Sequence, residues 1–279
     1  MDKRPQLKVE KAMKTANTAK STSKTRIAPG KQRSYNDIIE FLDANWTTNQ
    51  NDTTLSCIKQ LDQAFGSLSQ KLNTVLIGGT NGKSLTAHFA TKLLKQEGIT
   101  VGSFFAPHIL TYNERLVCNG EAINNKLFTE IANEVLNTAD TLDVTPSSLD
   151  VLTTMAFIYF DRNDVELSLF EVGEPGTLHP AIICTPKIAA ITRVTEESST
   201  AQANEQTIRH ALAIVKKGTH TVSADQSKLN LQVMQSVTEK LGGLWAMPIR
   251  KLSPLNYPFE QLHGRCAALA ERIAYIYIN

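Results

Sequence analysis

The chain is poor in cysteine and has no long apolar run, and each scarcity excludes a class of protein. Cys57, Cys118, Cys184 and Cys266 are scattered among 279 residues with no C-x-x-C pair. That excludes a disulfide scaffold or zinc framework and suits reduced thiols in a reducing compartment. No stretch approaches the ~20 apolar residues that span a bilayer, and the N-terminus lacks a signal peptide's apolar segment. A cytoplasmic protein with no membrane partner is expected. His88, His108 and His179 fall in no metal-ligand spacing, and no Ser-His-Asp or Cys-His set argues for covalent catalysis. Acidic residues are nearly missing from residues 1–33, where ten Lys/Arg stand against two Asp/Glu. The segment carries +8 and the remainder −6, which the net +2 conceals. Rich in Lys, Ser, Thr and Ala, it reads as a disordered basic tail outside the domain. The same composition also fits an organelle transit segment or a weak nucleic-acid contact. No nucleic-acid partner is expected for the rest of the chain.

What remains is an ordinary globular composition, 42% hydrophobic and 20% charged, long enough for one large domain or two small ones. Ser34 with Asp37 resembles a capping box, ahead of a helix with Ile38, Ile39, Phe41 and Leu42 on its apolar face. A second helix is expected over Leu55–Phe65, and a strand over Thr74–Ile77. A helix closed by Gly98 comes next, then a strand over Ile99–Phe105. Asn119-Gly120 signals a tight turn. Asn124 caps a helix through Asn137, and Ser147 or Ser148 another through Phe160. Val165–Val172 and Ile188–Val194 are nearly continuous in apolar residues, as strands buried on both faces are. Ala203–Val215, His220–Ala224 and Ser227–Leu241 complete the alternation. The expectation is an α/β fold with a mainly parallel sheet flanked by helices, binding ligands at the carboxyl ends of its strands.

At one such end stands Val75-Leu-Ile-Gly-Gly-Thr-Asn-Gly-Lys-Ser-Leu-Thr86. Strand, glycine-rich turn and helix in this order make a phosphate cradle. Glycine permits positive φ and close approach, and the helix-start N–H groups face an anion. Gly79, Thr80, Asn81, Gly82, Lys83 and Ser84 are the candidate ATP contacts, with Lys83 along the β- and γ-phosphates and Ser84 reaching Mg²⁺. The generic G-x-x-x-x-G-K-[ST] pattern is missed by one place, because Ile77 stands where its first glycine belongs.

Several further stretches join this one. Ile77-Gly-Gly-Thr-Asn-Gly-Lys83, Ala106-Pro-His108 with Tyr112-Asn-Glu-Arg115, Asn119-Gly-Glu-Ala-Ile123 and Glu171-Val-Gly173 follow in order. The series resembles the folylpolyglutamate synthase/dihydrofolate synthase family of the Mur ligase superfamily, over roughly Ser34–Arg265. The resemblance implies a P-loop NTPase-like domain at 34–265 of the Mur ligase central-domain type. It also implies ATP-dependent amide formation, in which a folate-type carboxylate takes the γ-phosphoryl group and the acyl phosphate then passes to glutamate. Lys83 and Glu171 would be the catalytic pair, and Ser84 and Glu171 would hold the metal.

The departures from the family pattern bear on activity. Ala106 stands where the family has a magnesium-binding serine. Glu196-Glu197-Ser198 stands where it has Leu-Asp-His, leaving Glu196 or Glu197 to offer oxygen. Gly173–Ile182 lacks the arginine, aspartate and asparagine of G-x-G-G-R-L-D-A-T-N, and the family's modified lysine falls near Ala211. Leu262-His-Gly-Arg265 leads, in the family, into a second α/β domain, so residues 266–279 are expected to begin that domain. Two rivals to a divergent or truncated ligase follow: a non-catalytic nucleotide-binding partner or regulatory protein, and a P-loop phosphohydrolase.

Overall fold

The computed structural model describes residues 30–46, 55–173, 179–194, 207–224, 227–246 and 260–279. Residues 1–29 of the expected tail, Glu196-Glu197-Ser198, and 174–178 lie outside them. Helix α1 (Tyr35–Ala44) starts as its sequence dictates: Ser34 Oγ accepts the Asp37 N–H and Asp37 accepts the Ser34 N–H, closing the capping box. Arg33, just ahead of this helix, exchanges hydrogen bonds with Asn133 and pairs with Asp140 at 2.8 Å, within the compact unit Lys31–Asn279.

Helix α2 (Ser56–Ala64) is followed by a one-turn α3 (Leu68–Lys71), and β1 (Thr74–Gly78) then runs through the cradle into α4 (Lys83–Gln96). Next come β2 (Val101–Phe104), a 3-10 turn (Tyr112–Arg115), and the short strands β3 (Leu116–Cys118) and β4 (Glu121–Ala122). Helix α5 (Asn125–Leu142) is capped by Asn124, and α6 (Ser148–Arg162) by Ser147 in a second box, with Asp150. Strand β5 (Leu167–Glu171), a 3-10 turn (Pro180–Ile183), β6 (Ile188–Ile191) and β7 (His220–Ser223) follow. Helix α7 (Lys228–Lys240), β8 (Leu244–Trp245) and α8 (Glu260–Ile278) complete the described elements.

The eight strands form one sheet in the order β4-β3-β2-β5-β1-β6-β7-β8, parallel from β2 through β8 and antiparallel only where β3 and β4 join. Side chains alternate across a strand, and here both faces are covered. On β1, Leu76 packs with Phe104 and Phe170 under α1, α2, α5 and α6. Val75 and Ile77 face the opposite way, with Leu167, Leu169 and Ile188, toward Ala87, Ala90 and Leu94 of α4 and Leu269, Ala270 and Ile273 of α8. That is why these strands read as continuous apolar runs.

Helix α8 runs across 265/266 and packs on α4, within the compact unit Lys31–Asn279. Among the described residues no helix is long and apolar enough to cross a membrane.

The close fit of α6 on the sheet depends on Gly102. A Cβ at this position of β2 would stand 2.6 Å from the Phe160 ring, and Phe160 is wholly buried. Gly102→Ala should cost about 1–3 kcal/mol by overpacking. Urea unfolding measures this loss, and an unchanged midpoint would show that the ring can give way.

Candidate active site

The cradle begins where β1 ends. Gly79 has φ +115°, and a Cβ on it would stand 2.3 Å from Thr192 Oγ1, so only glycine fits. Thr192 and Arg193 follow β6 directly and clamp the loop. The Thr80 and Asn81 N–H groups both donate to the Arg193 carbonyl, at 3.1 and 3.3 Å, and Thr192 donates to the Gly78 carbonyl. Two of the expected phosphate donors are therefore engaged in holding the loop to the sheet. The N–H groups at the start of α4 have no intrahelical acceptor, and Gly82, at φ +93°, turns the chain into that helix. Lys83 folds back over the loop, its Nζ donating to the carbonyls of Gly79 and Thr80 at 3.0 and 3.2 Å.

Glu171 reaches the cradle through sheet register. It ends β5, pairs with Ile77 on β1, and accepts hydrogen bonds from Ser84 Oγ at 2.8 Å and the Ala106 N–H at 3.2 Å. The residue is 3% exposed. Burial raises its pKa above the ordinary glutamate value, opposed by the Ser84 and Ala106 hydrogen bonds and by the charges of Lys83 and Arg115. Lys83, Ser84 and Glu171, far apart in sequence, thus meet at one strand end. Ser84 and Glu171 present an all-oxygen pair, the chemistry a hard cation such as Mg²⁺ takes together with phosphate oxygens. Ala106 contributes its backbone N–H to that pair. Among the described residues, no cluster of three or more His, Cys, Asp or Glu forms a metal site. His88 is exposed, His108 accepts from Arg115, and His179 is buried.

Other residues at the site escaped the sequence reading. A cavity of about 210 Å³ beside the cradle is lined by the expected Asn81 together with Thr86, Arg193, Arg265, Cys266 and others. Cys266 Sγ lies 3.5 Å from the Gly82 carbonyl, on which it donates. Arg193 carried no motif; only its place after a buried strand pointed to it. Arg115 and Cys266 lay within or beside quoted stretches without a role.

These features define a class, an α/β domain whose glycine-rich strand-to-helix loop faces a buried strand-end glutamate. No family model matches the chain. It is 29% identical over 224 residues to the dihydrofolate synthase/folylpolyglutamate synthase of Bacillus subtilis (strain 168), covering 78% of this chain and 49% of that protein. It is 26% identical over 215 residues to the folylpolyglutamate synthase of Lacticaseibacillus casei, covering 74% and 49%. Among solved structures, Mycobacterium tuberculosis folylpolyglutamate synthase complexed with ADP superposes with a TM-score of 0.76 at 19% identity, over 88% of this chain and 62% of that one. A folylpolyglutamate synthase–AMPPCP–folate complex gives 0.76 at 20%, over 88% and 67%. The fold is that of folylpolyglutamate synthases, and the chain's relatives by sequence are folylpolyglutamate and dihydrofolate synthases. The chain spans about half the length of these curated relatives.

Glu171 generates a test of the site's electrostatics. A carboxyl whose pKa is raised by folding binds its proton more tightly in the folded state, so the fold loses stability as pH rises through its titration. Glu171→Gln can still accept from Ser84 and Ala106 but carries no charge. At pH 7 it should melt above the wild type, and the gap should close as pH falls below the ordinary Glu value of about 4.3. A variant that melts lower at pH 7 would show that the ionised carboxylate stabilises the fold.

Proposed function

We propose that this chain supplies the ATP-binding part of a ligase of the folylpolyglutamate/dihydrofolate synthase type, joining glutamate to a folate-type carboxylate. The observation that carries the reading is the Ser84–Glu171 hydrogen bond at 2.8 Å beside Lys83, at the carboxyl end of paired β1 and β5. The similarity to folylpolyglutamate synthases and the ADP and AMPPCP complexes of its structural neighbours support the same reading.

In this scheme the first-turn N–H groups of α4 receive the phosphates, and Lys83 leaves the Gly79 and Thr80 carbonyls to lie along the β- and γ-phosphates. Ser84 and Glu171 would hold Mg²⁺, which when bound neutralises phosphate charge. An oxygen of the acceptor carboxylate attacks the γ-phosphorus as the bond to the β-bridging oxygen breaks, giving an acyl phosphate and ADP. The amino group of glutamate then attacks the acyl carbon, loses a proton, and expels phosphate. Lys83 neutralises charge that grows on the transferred oxygens, where fixed charge is most effective.

One observation favours weak turnover. Ala106 meets Glu171 through its backbone N–H alone, with no side-chain oxygen at a position where the resembling family has serine. With one ligand fewer, nucleotide binding outlasts catalysis, and a nucleotide-binding partner or regulator becomes the alternative reading.

Lys83→Ala should weaken ATP binding by about 2–3 kcal/mol, the worth of a charge-assisted contact. Calorimetry with Mg²⁺ and ATP checks this, and equal affinities would remove Lys83 from the site. Incubation of the protein with ATP, Mg²⁺, glutamate and dihydropteroate or a reduced folate, following phosphate and product mass, should give binding with little or no product. Robust glutamate-dependent product would establish an active ligase and refute the weak-turnover expectation. Phosphate without product would point to the phosphohydrolase.

A further inference from the structure

A cleft of about 600 Å³ lies apart from the cradle, lined by Lys59, Asp62, Gln63, Gln70, Ile183, Lys216 and others. None of its residues lines the cavity beside the cradle. Its walls come from segments that enter the amino ends of strands. Gln70 lies in α3, which ends shortly before β1, while Lys216 precedes β7 and the 3-10 turn ending at Ile183 precedes β6. The cradle sits at the opposite, carboxyl ends of these parallel strands. Two side-chain donors converge in the cleft. Lys216 Nζ and Gln70 Nε2 both donate to the Ile183 carbonyl, at 3.3 and 2.8 Å. Gln70 Oε1 in turn accepts from Thr185 Oγ1 at 2.9 Å, which fixes the amide's orientation.

An ammonium has three N–H donors, and Lys216 gives one of them to Ile183. The side chain is half-buried, and burial pulls its pKa below the ordinary lysine value; the charge of Lys59 pulls the same way. Cys184 acts in the other direction, but burial first, and then the Asp62 charge, push this buried thiol up to about 12, so it is neutral at pH 7. No carboxylate is among the charges that act on Lys216, and Lys216 forms no ion pair among the described residues. Asp62, the one carboxylate in the wall, is held by Ser69, whose N–H and Oγ–H donate to its two oxygens at 2.9 and 2.6 Å. The cleft thus brings together two cations that repel each other. A carboxylate would answer one of them. A phosphate group carries about −1.5 to −2 at pH 7 with several acceptor oxygens, which answers both. Ile182 and Ile183 add apolar wall, of the kind that suits the body of an ester.

We propose that this cleft is a second anion site, separate from the cradle, which binds free phosphate or a small phosphate monoester between Lys216 and Lys59. Lys216, anchored on the Ile183 carbonyl, gives its remaining N–H groups to phosphate oxygens, and Lys59 adds a second charge from α2. In an ester, Ile182 and Ile183 receive the body of the ligand. The site stands independently of the ligase reading, because no residue of the cradle takes part in it.

The test is calorimetric titration of inorganic phosphate, ribose 5-phosphate and acetate into the full chain at matched ionic strength. The cradle is itself a phosphate site in the ligase reading, so the titrations use both wild type and Lys83→Ala, which takes the cation from the cradle alone. Lys83→Ala should still bind phosphate or its ester at a saturable site. Adding Lys216→Met or Lys59→Met to it should weaken that binding about tenfold or more, with the melting temperature near the parent value. Lys59 is exposed, so its replacement tests the site even where Lys216→Met fails to fold. Tighter binding of ribose 5-phosphate than of phosphate identifies an ester as the ligand, and the reverse identifies free phosphate; either supports the site. Binding of neither by wild type overturns the proposal without relying on any variant. Acetate bound as tightly as phosphate overturns it too, as does unchanged affinity in either folded lysine variant. Binding lost in Lys83→Ala alone places the phosphate in the cradle and overturns the second site.

Discussion

The parallel pairing of β1 with β5 is the constraint on which the site depends. Its register sets Ile77 against Glu171, so a buried carboxyl arrives beside the first turn of α4. β1 and β5 are separated by α4, β2, β3, β4, α5 and α6 in sequence, yet adjacent in the sheet. A slip of one residue would turn Glu171 to the other face and bury Phe170 in its place, because side chains alternate with period two. The apolar packing of Leu76, Phe104 and Phe170 on one face and Val75, Ile77 and Leu169 on the other holds that register.

A second layer of restraint fixes the loop itself. Thr192 and Arg193, at the end of the neighbouring β6, bind the backbone of Gly78, Thr80 and Asn81, while Cys266 on α8 contacts the Gly82 carbonyl. The cradle is therefore shaped by strands on both sides and by a helix from the far end of the chain. Such a site costs stability where it must stay polar: Glu171 is buried, and burial holds its pKa above the ordinary glutamate value despite the hydrogen bonds from Ser84 and Ala106. Functional positions are where such departures from a well-satisfied interior are expected.

Much of this was legible in the sequence because the signals are local. The capping boxes at Ser34 and Ser147, the apolar runs of β5 and β6, and the strand–glycine–helix order of the cradle each follow from a few adjacent residues. Sheet order is not local, and neither is anything that depends on it. Arg193 entered no motif because its function lies in a backbone carbonyl presented by β6 to a loop on β1. Gly102 gave no sign of the Phe160 ring above it. Arg33 shares the basic composition of the residues before it, and only its partners on α5 place it inside the fold. Leu269, Ala270 and Ile273 seat α8 on α4, a packing that no motif in that stretch announces.

The central claim is that this strand-end cluster receives the phosphates of ATP. A structure of the chain with AMPPCP and Mg²⁺ tests it most directly. The account predicts the β- and γ-phosphates at the first turn of α4, Lys83 Nζ moved from the Gly79 and Thr80 carbonyls onto phosphate oxygens, and the metal between Ser84 and Glu171. Nucleotide bound elsewhere, or bound with Lys83 still on those carbonyls and Ser84 still on Glu171, would contradict it.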